Sequence, residues 1–236
     1  MARTTDDRPR PTRRWLVLPA ILTLSAPLVL TQAQRVGTAP LDLAGVYQAI
    51  PQGTTLPGGL RNAGSPADIA LQPAAVQRLK TLDLAEDPEK MCQPIGPFRM
   101  MARERTKIEL VPALAHGMIV MFFEDLSHGL MRTIFLNRSH PAKPSLNWFG
   151  DSVGRLEGTT LVVDTIGFND RTWLNEAGAQ HSDALHLVER IQPILGGKYL
   201  EYRVTADDPM VLSKPYTYVR YYEKLSTEIM QDVCEE

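Results

Sequence analysis

The side chains with the most chemical potential are gathered in residues 164–190, which read DTIGFNDRTWLNEAGAQHSDALHLVER. His181 and His186 come first, because a neutral imidazole can exchange a proton near physiological pH or ligate a metal. Their H-x4-H spacing is not the HExxH metal pattern and does not fit one helical face well. With His186 in a strand, its ring shares a face with Val188 and Arg190, while Leu185, Leu187 and Glu189 point the other way. Asp164 ends the run TTLVVDT on the face of Thr160 and Val162. A carboxylate there either forms a strand-end turn or is aimed into a cavity. Arg132 stands in an otherwise apolar strand, on the face of Leu130, Ile134 and Leu136. An inward guanidinium needs an acid, and Asp164, Glu124 and Glu189 are the candidates.

These residues define a catalytic expectation. His186 or His181 acts as acid or base, Asp164 orients it, and Arg132 stabilises developing negative charge. Trp173, Asn169, Asp170, Glu189 and Arg190 are the expected ligand contacts around them, Trp173 as an apolar stacking surface. The plainer alternative makes His181 a loop histidine, His186 a strand histidine bonded to a carboxylate, and Arg132 half of a structural pair. No cofactor is expected; a divalent metal on His181 and His186 is the weaker alternative. Gly150-Asp151-Ser152-Val153-Gly154 has the letters of a nucleophile elbow, but its strand-turn-strand setting argues against a serine hydrolase. No glycine-rich loop opens a helix to cradle phosphate.

The elements that must position these groups are mostly strands. Ile108 to Val111, Met118 to Glu124, Met131 to Asn137, Ser152 to Leu156, Thr160 to Ile166, Ala184 to Gln192, Tyr199 to Ala206 and Tyr216 to Leu225 are short apolar runs bounded by turn residues. Helix is confined to the front, at Gln72 to Leu82 and in a second short helix at Asp87 to Met91, one or two short N-terminal helices in all. The pattern predicts an antiparallel meander closed into a lipocalin-like β-barrel, with a two-sheet sandwich as the alternative. Residues 34–70 read as an extended lead-in with one short strand near Val46, and residues 71–236 as a single barrel domain.

Residues 1–33 read as an export signal: five arginines, an apolar run from Trp15 to Leu30, and Thr31-Gln32-Ala33 as a cleavage site. The apolar run is short for a membrane anchor and is interrupted by prolines. Arg13-Arg14 before apolar residues also suits a twin-arginine signal, so the expected address is periplasmic or secreted, by the Sec or twin-arginine route. The chain holds 25 basic and 27 acidic residues; removing residues 1–33 leaves 20 and 25, a net charge of −5. That balance, with no aromatic-basic stripe, excludes nucleic acid as the expected partner. In an exported protein the two cysteines, Cys92 and Cys234, are natural disulfide partners.

One stretch resembles a recurrent signature. It comprises Gly150-Asp151-Ser152-Val153-Gly154-Arg155, Glu157 to Thr165, Gly167-Phe168-Asn169-Asp170, Thr172-Trp173-Leu174, His181-Ser182 and Glu189-Arg190. This pattern is similar to that of a large family of exported bacterial proteins of uncharacterised activity, with looser matches from the Cys92 loop to Glu236. The resemblance implies export, one domain and a shared site. The residues themselves favour an exported enzyme with acid/base chemistry of lyase, isomerase or cyclase type on a fairly apolar small molecule. The alternative is a non-catalytic ligand-binding or carrier barrel, metal-loaded or not.

Overall fold

Apolar residues at every second position give strands such as residues 107–113 and 118–124 one buried face, and nine strands close on themselves. The computed structural model describes residues 42–124 and 130–230. The strands are β1 (Gly45–Ala49), β2 (Lys107–Ala113), β3 (Met118–Glu124), β4 (Met131–Phe135), β5 (Asp151–Glu157), β6 (Thr160–Ile166), β7 (His186–Ile194), β8 (Tyr199–Asp207) and β9 (Tyr216–Leu225). They form a closed barrel in chain order. β1, from the stretch read as lead-in, lies between β2 and β9 and completes the closure, which leaves no sheet edge free to pair with another chain. The export signal, the turn at Ser127-His128-Gly129 and Cys234 fall outside the described residues. Cys92 is disulfide-bonded.

Every pairing between these nine strands is antiparallel except one. β4 and β5 run parallel, with Ile134 opposite Ser152 and Phe135 opposite Val153. Parallel neighbours cannot be joined by a tight turn, so residues 136–150 cross from the end of β4 back to the start of β5. The expected barrel closes in chain order, and its antiparallel pattern is broken only here, by the polar, proline-rich loop that sequence places between the two strands.

The barrel is filled by side chains. Ile108 and Leu110, Ile119, Met121 and Phe123, Leu161 and Val163, Leu187 and Ile191, and Tyr202, Tyr218 and Tyr222 are all buried and belong to one core cluster. Helices α1 (Pro73–Leu79) and α2 (Pro97–Met100) lie in the segment between β1 and β2. Both start on a proline, whose fixed φ and missing N–H suit a first helical turn. Arg99 in α2 makes a two-pronged ion pair with Asp87, at 2.7 and 2.8 Å, and reaches Glu89 as well. Burial disfavours the Asp87 carboxylate, but the Arg99 contact outweighs it and holds the carboxyl below its ordinary range. These contacts fasten the 3-10 turn Pro88–Met91 to α2.

Candidate functional site

The residues singled out in the sequence occupy three separate places. The first is the barrel interior. Arg132 and Glu189 are 2 % and 0 % exposed and face each other across the core. The guanidinium donates to Glu189 Oε1 at 2.8 Å and Oε2 at 2.5 Å, to Ser152 Oγ at 2.9 Å and to Thr165 Oγ1 at 2.7 Å. Tyr202 donates its hydroxyl to Glu189 Oε1 at 2.8 Å. Burial works against the Arg132 charge, yet Glu189 overcomes it and raises the pKa above the usual guanidinium value. Tyr202 is likewise driven well above its ordinary range by burial and by the neighbouring Glu189 charge, so it remains a donor. Of the three acids considered for Arg132, Glu189 is the partner. Glu124 pairs instead with Lys107 at 2.6 Å. Four of the five guanidinium N–H groups and both carboxylate oxygens are engaged by protein groups inside a buried core, so the pair is a structural link.

The second place is the outer wall. Asp164 and His186 do share a face with Val162 and Val188, but that face points away from the core. His186 Nε2 lies 3.0 Å from Asp164 Oδ2, and Asp164 Oδ1 lies 2.9 Å from His140 Nε2. His140 Nδ1 then sits 2.6 Å from Asp151 Oδ1, and Arg138 grips the same carboxylate at 3.0 and 2.5 Å. For both Asp151 and Asp164, burial raises the pKa, but the hydrogen bonds from Arg138, His140 and His186 prevail and lower it. The chain of contacts pins residues 138–140 of the crossover against β5, β6 and β7. The His186 side chain is 40 % exposed. Arg190 is on this wall too, bound to Glu157 at 2.9 Å. His140 was the residue missed here: the sequence shows it only as a loop histidine, and its partners come together through the parallel crossover.

The third place is loop 167–185. His181 is buried, with Nε2 2.6 Å from Thr172 Oγ1 and Nδ1 2.8 Å from the Ser182 carbonyl. A carbonyl only accepts, so Nδ1 carries the proton and Nε2 accepts the Thr172 hydroxyl. Burial lowers its pKa, against the opposing pull of the Ser182 carbonyl, Asp208 and Asp170. Trp173 is buried and its backbone bridges to Gln180, so it is packing and not a stacking lid. Asn169 caps the turn by accepting from the Arg171 amide, and Asp170 is exposed. The expected ligand contacts therefore do not converge.

The acid/base enzyme reading is corrected by this geometry. Its imidazoles, carboxylate and guanidinium are divided between a hydrogen-bonded loop, the outer wall and a closed core, with no shared hollow where a reacting atom could sit. The metal alternative fails with it, since His181 and His186 are in different places. Among the described residues, no three His, Cys, Asp or Glu side chains are grouped to hold an ion. The signature itself has structural work. Ser152 holds Arg132, Asp151 anchors the crossover, and Gly154 leaves room in the core, where a Cβ would come 2.7 Å from Ile134 Cγ2.

A cavity of about 760 Å³ opens instead where the segment 52–67, α2 and the residues after it, loop 175–177 and β9 meet. Pro66, Ala67, Ala102 and Ala177 supply apolar wall, and Arg99, Arg103, Arg105, Arg220 and Asn175 supply polar groups. No histidine or cysteine is among its lining residues. Asn175 is held by its own contacts, accepting from the amides of Ala177 and Ala179 and donating to the Pro66 carbonyl. The signal for this site was present in the sequence as three arginines in FRMMARER and one arginine inside the aromatic strand YVRYY. What was missing was any sign that the two segments meet.

No family model matches the chain, and no curated protein matches it. Among solved structures, it is similar to a protein titled REP1-NXSQ fatty acid transporter, at 7 % identity and a TM-score of 0.41, over 79 % of this chain and 98 % of that one. It is also similar to fatty-acid-binding protein 1 of Echinococcus granulosus, at 12 % identity and a TM-score of 0.40, over 78 % and 98 % of the two chains. A third similar structure is secretory abundant heat soluble protein 4 from Ramazzottius varieornatus, at 10 % identity and a TM-score of 0.39, over 78 % and 95 %. Likeness at this level fixes neither ligand nor chemistry.

Proposed function

We propose that the protein is a non-catalytic binding barrel that carries a small, partly apolar molecule in the cavity between α2, loop 175–177 and β9. The carrying observation is the cavity itself. Its volume of about 760 Å³ falls within the range of small-molecule sites, roughly 300–1,000 Å³, and its wall mixes apolar surface with a few fixed polar groups. The barrel core plays the part of a rigid frame. Its polar centre is closed by the Arg132–Glu189 pair, and the ligand sits in the separate cavity beside β9. The reading of residues 1–33 as an export signal supports an address outside the cytoplasm, and N-terminal mass spectrometry of protein from a periplasmic fraction tests it. Among the described residues, no helix is long and apolar enough to cross a membrane.

The test is a fluorescence titration with N-phenyl-1-naphthylamine, a neutral apolar dye that brightens on leaving water. Saturable binding at one site is expected, lost in Ala102→Trp and in Ala177→Trp, which add bulk to two sides of the cavity. A dye that does not bind, or one that binds both tryptophan variants as well as the parent, sinks the reading.

A further inference from the structure

Resting on that reading, we infer that the cavity selects ligands with an anionic head, recognised by Arg220. This arginine lies on the inward face of β9 with Tyr218 and Tyr222, and is only 2 % exposed. A buried guanidinium is normally matched by a carboxylate, as Arg132 is by Glu189 and Arg99 by Asp87. Among the described residues, Arg220 has no such match. Its Nε donates to the Ala102 carbonyl at 3.2 Å, and its Nη1 to the carbonyls of Gly64 and Val219 at 2.8 and 2.9 Å. Its guanidinium carbon stacks 4.9 Å from the centre of the Tyr218 ring. Neutral carbonyls and a π-face orient the fork but do not cancel its charge, and among the described residues Nη2 has no hydrogen-bond partner. The group left over belongs to a residue that lines the cavity.

Arg99, also lining the cavity, is a contrasting case: its two Nη atoms are engaged by Asp87 and Glu89, so its charge is already matched. Arg105 adds an exposed cation to the lining. The acids of the lining are Glu104 and Glu176. Glu104 is exposed and accepts from the Gln52 amide at 3.1 Å, and the Glu176 side chain is 76 % exposed and 4.0 Å from Arg103. Neither faces Arg220 at ion-pair distance. Among the described residues, no acid compensates Arg220 on the buried side of the cavity, a layout that suits a carboxylate, sulfonate or sulfate on a hydrophobic body.

Two dyes of the same aromatic body separate the possibilities: N-phenyl-1-naphthylamine is neutral, and 1-anilinonaphthalene-8-sulfonate carries one negative charge. The sulfonate is expected to bind at least tenfold more tightly than the neutral dye. Arg220→Met is expected to weaken the sulfonate at least tenfold and leave the neutral dye within about twofold. Should Arg220→Met not fold, exposed Arg105→Gln supplies the second variant, with a twofold to fivefold loss for the sulfonate alone. Equal affinity of the two dyes overturns the anion selectivity while leaving the carrier reading intact. Failure of the neutral dye to bind removes the carrier reading itself, whatever the sulfonate does. Sulfonate binding that is indifferent to both arginine variants also overturns the assignment to this site.

Discussion

Cutting Arg132 back to methionine tests the central physical claim about the core, that the Arg132–Glu189 pair is structural. The substitution removes four hydrogen bonds, two to Glu189 and one each to Ser152 and Thr165. Ser152 and Thr165 can still bond one another across 3.2 Å. Glu189 cannot recover: it is 0 % exposed and retains only the Tyr202 hydroxyl. Breaking a buried pair from one side typically costs 3–5 kcal/mol, because the surviving charge is stranded in a low-dielectric core. For a domain of this size that corresponds to a fall in melting temperature of roughly 6–20 °C. The double variant Arg132→Met, Glu189→Leu removes both charges and replaces them with apolar volume, so it is expected to be more stable than Arg132→Met alone. Urea unfolding followed by tryptophan fluorescence, at pH 7 for the parent, both single variants and the double, measures the coupling directly. Losses that simply add, or a single-variant loss below about 1 kcal/mol, would refute the reasoning, since either result means that neither charge depends on the other.

Other expectations concern the periphery. His181 is held neutral by burial, so its folded pKa lies below its unfolded value of about 6.5. Its contribution is therefore intact above that pH and is lost as the pH falls towards the lower folded value; in His181→Gln the drop in urea midpoint between pH 7.5 and pH 5.5 should shrink. Asp151 and Asp164 have depressed pKa values, so their contribution is present above the ordinary carboxylate range and disappears only in more strongly acid solution, a window separate from that of His181. Replacing His186 with alanine removes a half-exposed pair and should cost no more than about 1 kcal/mol, read from the same unfolding curves. Gly150 has φ +67°, and a Cβ there would lie 2.7 Å from Thr165 Cγ2 and 2.8 Å from the Ile166 carbonyl oxygen. Gly150→Ala should therefore lose about 2–4 kcal/mol, combining left-handed strain with overpacking, and a loss under 0.5 kcal/mol would contradict that account.

Strand identity was legible in the chain because period-two burial is a local property. Ile108 and Leu110, or Ile119, Met121 and Phe123, alternate with less buried neighbours on strands that the sequence alone delimits. The proline-led helical turns at residues 73 and 88 were legible for the same reason, as was the need of Arg132 for an acid. Which face of β6 and β7 points inward was not legible. Thr160, Leu161, Val162 and Val163 are buried on both sides of β6, so the run gives no alternation to read. On β7, the inward face contains Glu189 between Leu187 and Ile191, while His186 and Arg190 share the outer face with Val188. A glutamate can occupy a core only when a distant strand delivers a guanidinium to it, and β4 does so from 57 residues away. The cavity depends on the same kind of long-range event, because Arg220 and the Ala102 carbonyl are 118 residues apart and meet only when the barrel closes. Local pattern fixes which residues are strand and which are turn. Side-chain neighbours across a closed sheet, and hence what any charged group can do, are decided by register and closure.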